Sequence, residues 1–91
     1  MHWQCIASGR VQGVNYRARV AESADRHGVV GSVANLADGT VRIDVQGDRA
    51  QVEQFLRDVS GPHGLSHAHL VRRVADLPVS TELRGFEIRR G

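Results

Sequence analysis

Val29-Val30-Gly31-Ser32-Val33-Ala34-Asn35-Leu36-Ala37-Asp38-Gly39-Thr40-Val41-Arg42-Ile43-Asp44-Val45 is the stretch on which the fold turns. Residues 29–36 form a β-branched run that reads as a strand. Asp38-Gly39 is a pair that tight hairpins favour, and Val41, Ile43 and Val45 then alternate with Arg42 and Asp44. The segment is therefore an antiparallel hairpin with an apolar face. On its N-terminal side Tyr16, Val20, Ala24 and His27 recur at helical spacing, and Gly28 stops the helix. Earlier still, Trp3, Cys5 and Ala7 alternate with Gln4, Ile6 and Ser8, the period of a strand over residues 3–9. On the C-terminal side Asp48 is a good N-cap, and Gln51 completes a capping box. Val52, Phe55, Leu56 and Val59 then share one helical face. Ser60-Gly61-Pro62-His63-Gly64 breaks that helix, and residues 67–76 and 82–90 read as two more strands. The order predicts an α+β, ferredoxin-like βαββαβ fold, with two helices on one face of an antiparallel sheet and a short fifth strand.

The 91 residues suffice for one hydrophobic core, so residues 1–91 are expected to form a single domain. The apolar fraction of 41% and charged fraction of 24% suit a folded chain rather than a disordered one. No apolar run approaches the length of a membrane span, and the first residues lack a basic leader followed by an apolar stretch. Together with a lone Cys5, which cannot form an intrachain disulfide, this suggests a cytoplasmic protein. All 12 basic residues are arginine, against 10 acidic ones. Without lysine the chain can form no Schiff base and has no Walker A loop. A net charge of +2 with scattered arginines argues against a nucleic-acid partner, and nothing in the pattern demands more than a monomer.

Chemistry concentrates between the first strand and the first helix. Gly9-Arg10-Val11-Gln12-Gly13-Val14-Asn15-Tyr16-Arg17 leads into the helix start, where unpaired N–H groups meet the positive end of the dipole. Glycines at 9 and 13 let the main chain approach a ligand closely, and successive amides can form a concave nest for phosphate oxygens. Arg17 opposes the dipole at this position, a conflict that a bound anion would resolve. On these residues alone, a structural turn beside a solvated arginine is the more economical reading.

The same nine residues resemble the first signature of the acylphosphatases, Gly-x-Val-Gln-Gly-Val-x-aromatic-Arg. Gly31-Ser32-Val33-Ala34-Asn35-Leu36-Ala37-Asp38-Gly39-Thr40-Val41, followed by Gly47, resembles the second, and Gly85-Phe86-Glu87-Ile88-Arg89 the close of the domain. The resemblance implies a ferredoxin-like fold and hydrolysis of acyl phosphates to a carboxylate and inorganic phosphate. It places the phosphate-binding arginine at Arg17 and the water-positioning asparagine at Asn35. The amides of Gln12, Gly13, Val14, Asn15 and Tyr16 would cradle the phosphoryl oxygens. It calls for no metal and no cofactor; the only partner is a small acyl phosphate. Ser32, Ala34 and Asn15 depart from the residues usual at their positions, which bears on substrate affinity and loop rigidity rather than on the type of reaction.

Rival chemistries fit less well. A phosphocysteine mechanism would need cysteine at position 11, where valine stands, and Cys5 reads as a small buried hydrophobe. His63, His67 and His69 lack a completing set of metal ligands and read as solvent-side residues near a Gly-rich turn. An RNA-binding module of the same fold would stack bases on aromatics in its central strands, and residues 41–45 have none. A non-catalytic domain that binds a small ligand is the remaining alternative.

Overall fold

The structure, a computed structural model, describes residues 1–90. Period-two alternation and the two amphipathic helical patterns resolve into a sheet with one face buried. In chain order the elements are β1 (His2–Arg10), α1 (Tyr16–His27), β2 (Val30–Asn35), β3 (Val41–Gln46), α2 (Arg49–Asp58), β4 (Gly61–His63), β5 (Ser66–Asp76) and β6 (Phe86–Arg89). The strands lie in the order β4-β5-β1-β3-β2-β6. Every pairing is antiparallel except that of β2 with β6. Both helices were expected where they occur, and Asp48 N–H donates to Gln51 Oε1 at 3.2 Å in the expected capping box.

Cross-strand register explains the core. Cys5 pairs with Ile43 and Ala7 with Val41, while Val33 sits opposite Ile43 on the other side. These side chains are buried with Val20 and Ala24 of α1 and Val52 and Phe55 of α2. Small and β-branched residues dominate, so the helices pack close to the sheet. Phe55 meets Phe86 with ring centroids 5.8 Å apart, fastening β6 to α2. The helices are tied directly as well. Tyr16 donates its buried hydroxyl to the Val59 carbonyl at 2.9 Å, and Ser23 donates to the Asp58 carboxylate at 2.6 Å. Ser23, with Arg26 beside it, holds the Asp58 carboxyl below its ordinary range.

Two details differ from the sequence reading. Gly61–His63, read as a helix break alone, also pairs with β5 as a three-residue edge strand, giving six strands in all. The last strand begins at Phe86 rather than at residue 82, and it runs parallel to β2. The reason lies in residues 77–85, which carry the chain from β5 across the end of the sheet to its opposite edge. Leu77 N–H donates to the His2 carbonyl at 2.7 Å. Gln46 then brackets Ser80 with bonds of 2.8 and 2.7 Å, and Gly31 N–H reaches the Gly85 carbonyl at 2.9 Å. Backbone groups bonded to side chains and to chain ends in this way are unavailable to a ladder.

Phe55→Ala should lower the unfolding free energy by about 3–5 kcal/mol, the range for truncating a buried phenylalanine. Urea denaturation checks this; a loss below about 1 kcal/mol would contradict the packing described.

Candidate active site

The backbone that leads from β1 into α1 is tightly constrained. Gly9 has φ +117°, and a Cβ there would lie 2.5 Å from the His67 carbonyl oxygen of β5. The β1–β5 register shifts at that point, which releases the chain from the sheet. Gly13 (φ 73°) and Asn15 (φ 65°) are both left-handed, and Asn15 alone among the described non-glycine residues has positive φ. Asparagine tolerates that region better than most side chains. The result is a tight turn at the head of α1. Among the described residues, no backbone N–H of residues 13–16 donates to a backbone carbonyl. The first turn of α1 also has no acidic side chain and no side-chain cap. Unsatisfied donors, the helix dipole and a cation thus lie together at one end of α1.

Gly13, Val14, Asn15, Tyr16 and Arg17 line a cleft of about 780 Å³ together with Asn35 from the end of β2. The structure therefore brings together both side chains singled out in the sequence, although they come from different elements. Gln12 stands apart. Its side chain turns to the β2–β3 connection and donates to the carbonyls of Leu36 at 2.8 Å and Thr40 at 2.7 Å. That amide clamps the loop against the segment following Asn35, a role that spacing gave no sign of.

The two nearby arginines are used differently. Arg19 donates to the carbonyls of Asp58, Ser60 and Gly61 and to Ser66 Oγ, at 2.8–3.2 Å. Its charge is committed to the C-terminal end of α2, where a cation is favourable. Arg17 makes a single hydrogen bond among the described residues, from Nη1 to the Arg89 carbonyl of β6 at 2.8 Å. The remaining N–H groups of its planar fork stay available to an anion. Sequence reading missed this brace, since an acceptor on the backbone has no side-chain signature. It also missed the hairpin between β4 and β5, whose His63, Gly64, Leu65 and Ser66 form another wall of the cleft.

Asn35 carries the most telling atom. Its Oδ1 is buried and has no hydrogen-bond partner within the protein. A buried acceptor left in this state costs about 1–3 kcal/mol. Such groups in native structures call for an explanation, and a ligand or water is one. Cys5, by contrast, lies fully in the core, where burial and then the Asp44 carboxylate push its thiol up to about 11. The proton therefore favours the folded state, whose stability falls as pH climbs from the ordinary 9.0 towards about 11. His67 and His69 of β5 lie with ring centroids 4.1 Å apart and planes tilted by 40°, and His63 lines the cleft.

A mixed sheet with two helices over one face belongs to the ferredoxin-like class. Residues 3–88 match the family model described as acylphosphatase. The chain is 43% identical over 84 residues to an acylphosphatase of Anaeromyxobacter, covering 91% of this chain and 83% of that protein. It is 37% identical over 84 residues to one from Chlorobaculum tepidum, covering 91% and 89%. The crystal structure of acylphosphatase from Bacillus subtilis superposes with a TM-score of 0.88 at 27% identity, covering 97% of each chain. The chain belongs to the acylphosphatase family and is a hydrolase.

Two outcomes test this local geometry. Asn15→Val should destabilise the protein by about 1–2 kcal/mol, the cost of a left-handed β-branched residue, while Asn15→Gly stays within about 0.5 kcal/mol of the parent. Denaturation midpoints decide between strain and mere loss of a polar side chain. Iodoacetamide at about pH 8 should leave Cys5 unmodified in the native protein and label it in urea, read by intact mass.

Proposed function

We propose that the chain hydrolyses acyl phosphates without a metal, with Arg17 and the amides of residues 13–16 holding the phosphoryl group, Gln12 bracing the loop beside them, and Asn35 orienting the attacking water. The observation that carries this reading is that Asn35, whose buried Oδ1 has no partner, lines the same cleft as Arg17 and the unpaired amides of residues 13–16. A carboxamide at this position can hold a water by hydrogen bond against the phosphoryl group and leave it a lone pair for phosphorus.

Each step follows from the charges. Three phosphoryl oxygens bring negative charge to the dipole end of α1, where N–H donors and the guanidinium fork receive them. These contacts need no rearrangement as charge shifts in the transition state, and this preorganisation is where such a site lowers the barrier. Water attacks phosphorus, the bond from phosphorus to the acyl oxygen breaks, and its electron pair leaves with the carboxylate. A carboxylate is a weak base, so its departure requires no general acid. The proton of the attacking water passes to a phosphoryl oxygen, since the Asn35 carboxamide does not accept protons near neutral pH. The Arg89 carbonyl fixes one Nη of Arg17, so the fork meets the phosphoryl group in a defined plane. An RNA-binding role has less support. The open face of β1 and β3 presents His2, Gln4, Ile6, Ser8, Arg42, Asp44 and Gln46, so its one ring is an imidazole at the strand end, tied to the Pro78 carbonyl at 2.8 Å, and none lies at the centre where a base would stack.

Arg17→Gln and Asn35→Ala should each reduce kcat/KM for acetyl phosphate by roughly 10²–10³ while leaving circular dichroism and denaturation midpoints near the parent's. Arg17→Lys should recover little, because a point charge does not replace the fork. Inorganic phosphate should inhibit competitively. Turnover that survives both substitutions would remove the basis of the proposal.

A further inference from the structure

A cleft of about 780 Å³ has room for more than a phosphoryl group. Beyond the amides and Arg17, its surface is apolar in one direction. Val14 of the loop, Leu65 at the tip of the β4–β5 hairpin and Ile88 of β6 all line it. Leu65 is 73% exposed and Ile88 50%, and both border this cleft, whereas the other large exposed hydrophobics (Met1, Leu70, Val74 and Val79) do not. Neither side chain contributes much to the core, so their shared position calls for another reason.

The hairpin that presents Leu65 is held firmly. Ser66 Oγ donates to the His63 carbonyl at 2.8 Å, closing the turn. Arg19 grips the hairpin from α1 through the Gly61 carbonyl at 3.1 Å and Ser66 Oγ at 3.2 Å. Leu65 therefore stands at a fixed place relative to the first turn of α1 and to the phosphate cradle proposed there. An apolar side chain fixed in this way offers shape and burial to a ligand without the ordering cost of a loose loop.

We infer that Leu65, with Val14 and Ile88, forms an acyl-group subsite that favours acyl phosphates with a bulky apolar acyl chain over those with a small one. This rests on the acylphosphatase reading of the site above. With the phosphoryl group against residues 13–17, the acyl chain extends over these three residues, and Leu65 loses water-exposed surface in proportion to the chain's apolar area. The subsite acts on substrate choice; the bond-breaking step is left to Arg17, the amides and Asn35.

The test compares kcat/KM for benzoyl and acetyl phosphate in the parent, in Leu65→Ser and in Val79→Ser, a substitution at a 66% exposed valine outside the cleft. The benzoyl-to-acetyl ratio should fall by roughly tenfold in Leu65→Ser, mainly through the KM for benzoyl phosphate. It should hold in Val79→Ser and be largely restored in Leu65→Met. Because the intrinsic reactivities of the two substrates cancel between parent and variant, the change in ratio reports the subsite alone. A ratio that Leu65→Ser does not move, or that Val79→Ser moves equally, overturns the subsite while the hydrolytic activity stands. If the parent turned over neither substrate, the activity reading would fail and take the subsite with it.

Discussion

The start of α1 presents backbone N–H donors that neither a side-chain cap nor a backbone carbonyl pairs among the described residues. Its N-cap is a left-handed asparagine without a side-chain bond, its first turn contains no acid, and its second residue is a cation. Left to local energetics such a helix start would be poor, because the dipole and Arg17 repel one another while the amides stay unpaired. Hydrogen bonds from the surrounding elements hold this arrangement in place. An anion entering the cleft would relieve all three deficits at once, and the remaining structure can be understood as the support that keeps the deficit open.

That support comes from three directions. From one side the Gln12 carboxamide bonds the loop to Leu36 and Thr40, which also fixes the distance from the loop to Asn35. From β6 the Arg89 carbonyl holds Arg17, and β6 is itself kept in place by its ladder with β2 and by the contact between Phe86 and Phe55. From below, Tyr16 and Arg19 fasten the start of α1 to the carbonyl end of α2 and to β4. Each of these bonds contributes about a kilocalorie per mole by itself, and more where its loss would strand a buried carbonyl. Their joint effect is geometric, since they orient donors that would otherwise turn towards one another or towards solvent.

Much of this was legible in the chain, for reasons that differ by element. Trp3, Cys5 and Ala7, or Val41, Ile43 and Val45, announce their strands because a buried sheet face imposes a period of two on side-chain chemistry. Arg17 and Asn35 were identifiable through their signatures, and they do line one cleft. Gly61–His63 was read only as a break because glycine and proline weigh against a strand, yet an edge strand uses few ladder bonds and tolerates both. Residues 82–85 looked like the beginning of a strand, but their backbone is drawn into the crossing between sheet edges. The clamp at Gln12 was invisible because its acceptors are carbonyls lying 24 and 28 residues away.

The two helices, five of the six strands, the buried face of the strongly patterned ones, and the place where a glycine-rich turn meets a helix start can all be read along the chain. Those properties follow from local stereochemistry and from the spacing of apolar side chains, both of which are written along the chain. Only the folded chain brings Asn35 to the same cleft as the loop, sets a carbonyl of β6 against Arg17, and adds Leu65 to the cleft's lining. These relations join residues far apart in the chain through backbone acceptors and packing distances. No residue type encodes such a distance, and only the assembled sheet and helices set it.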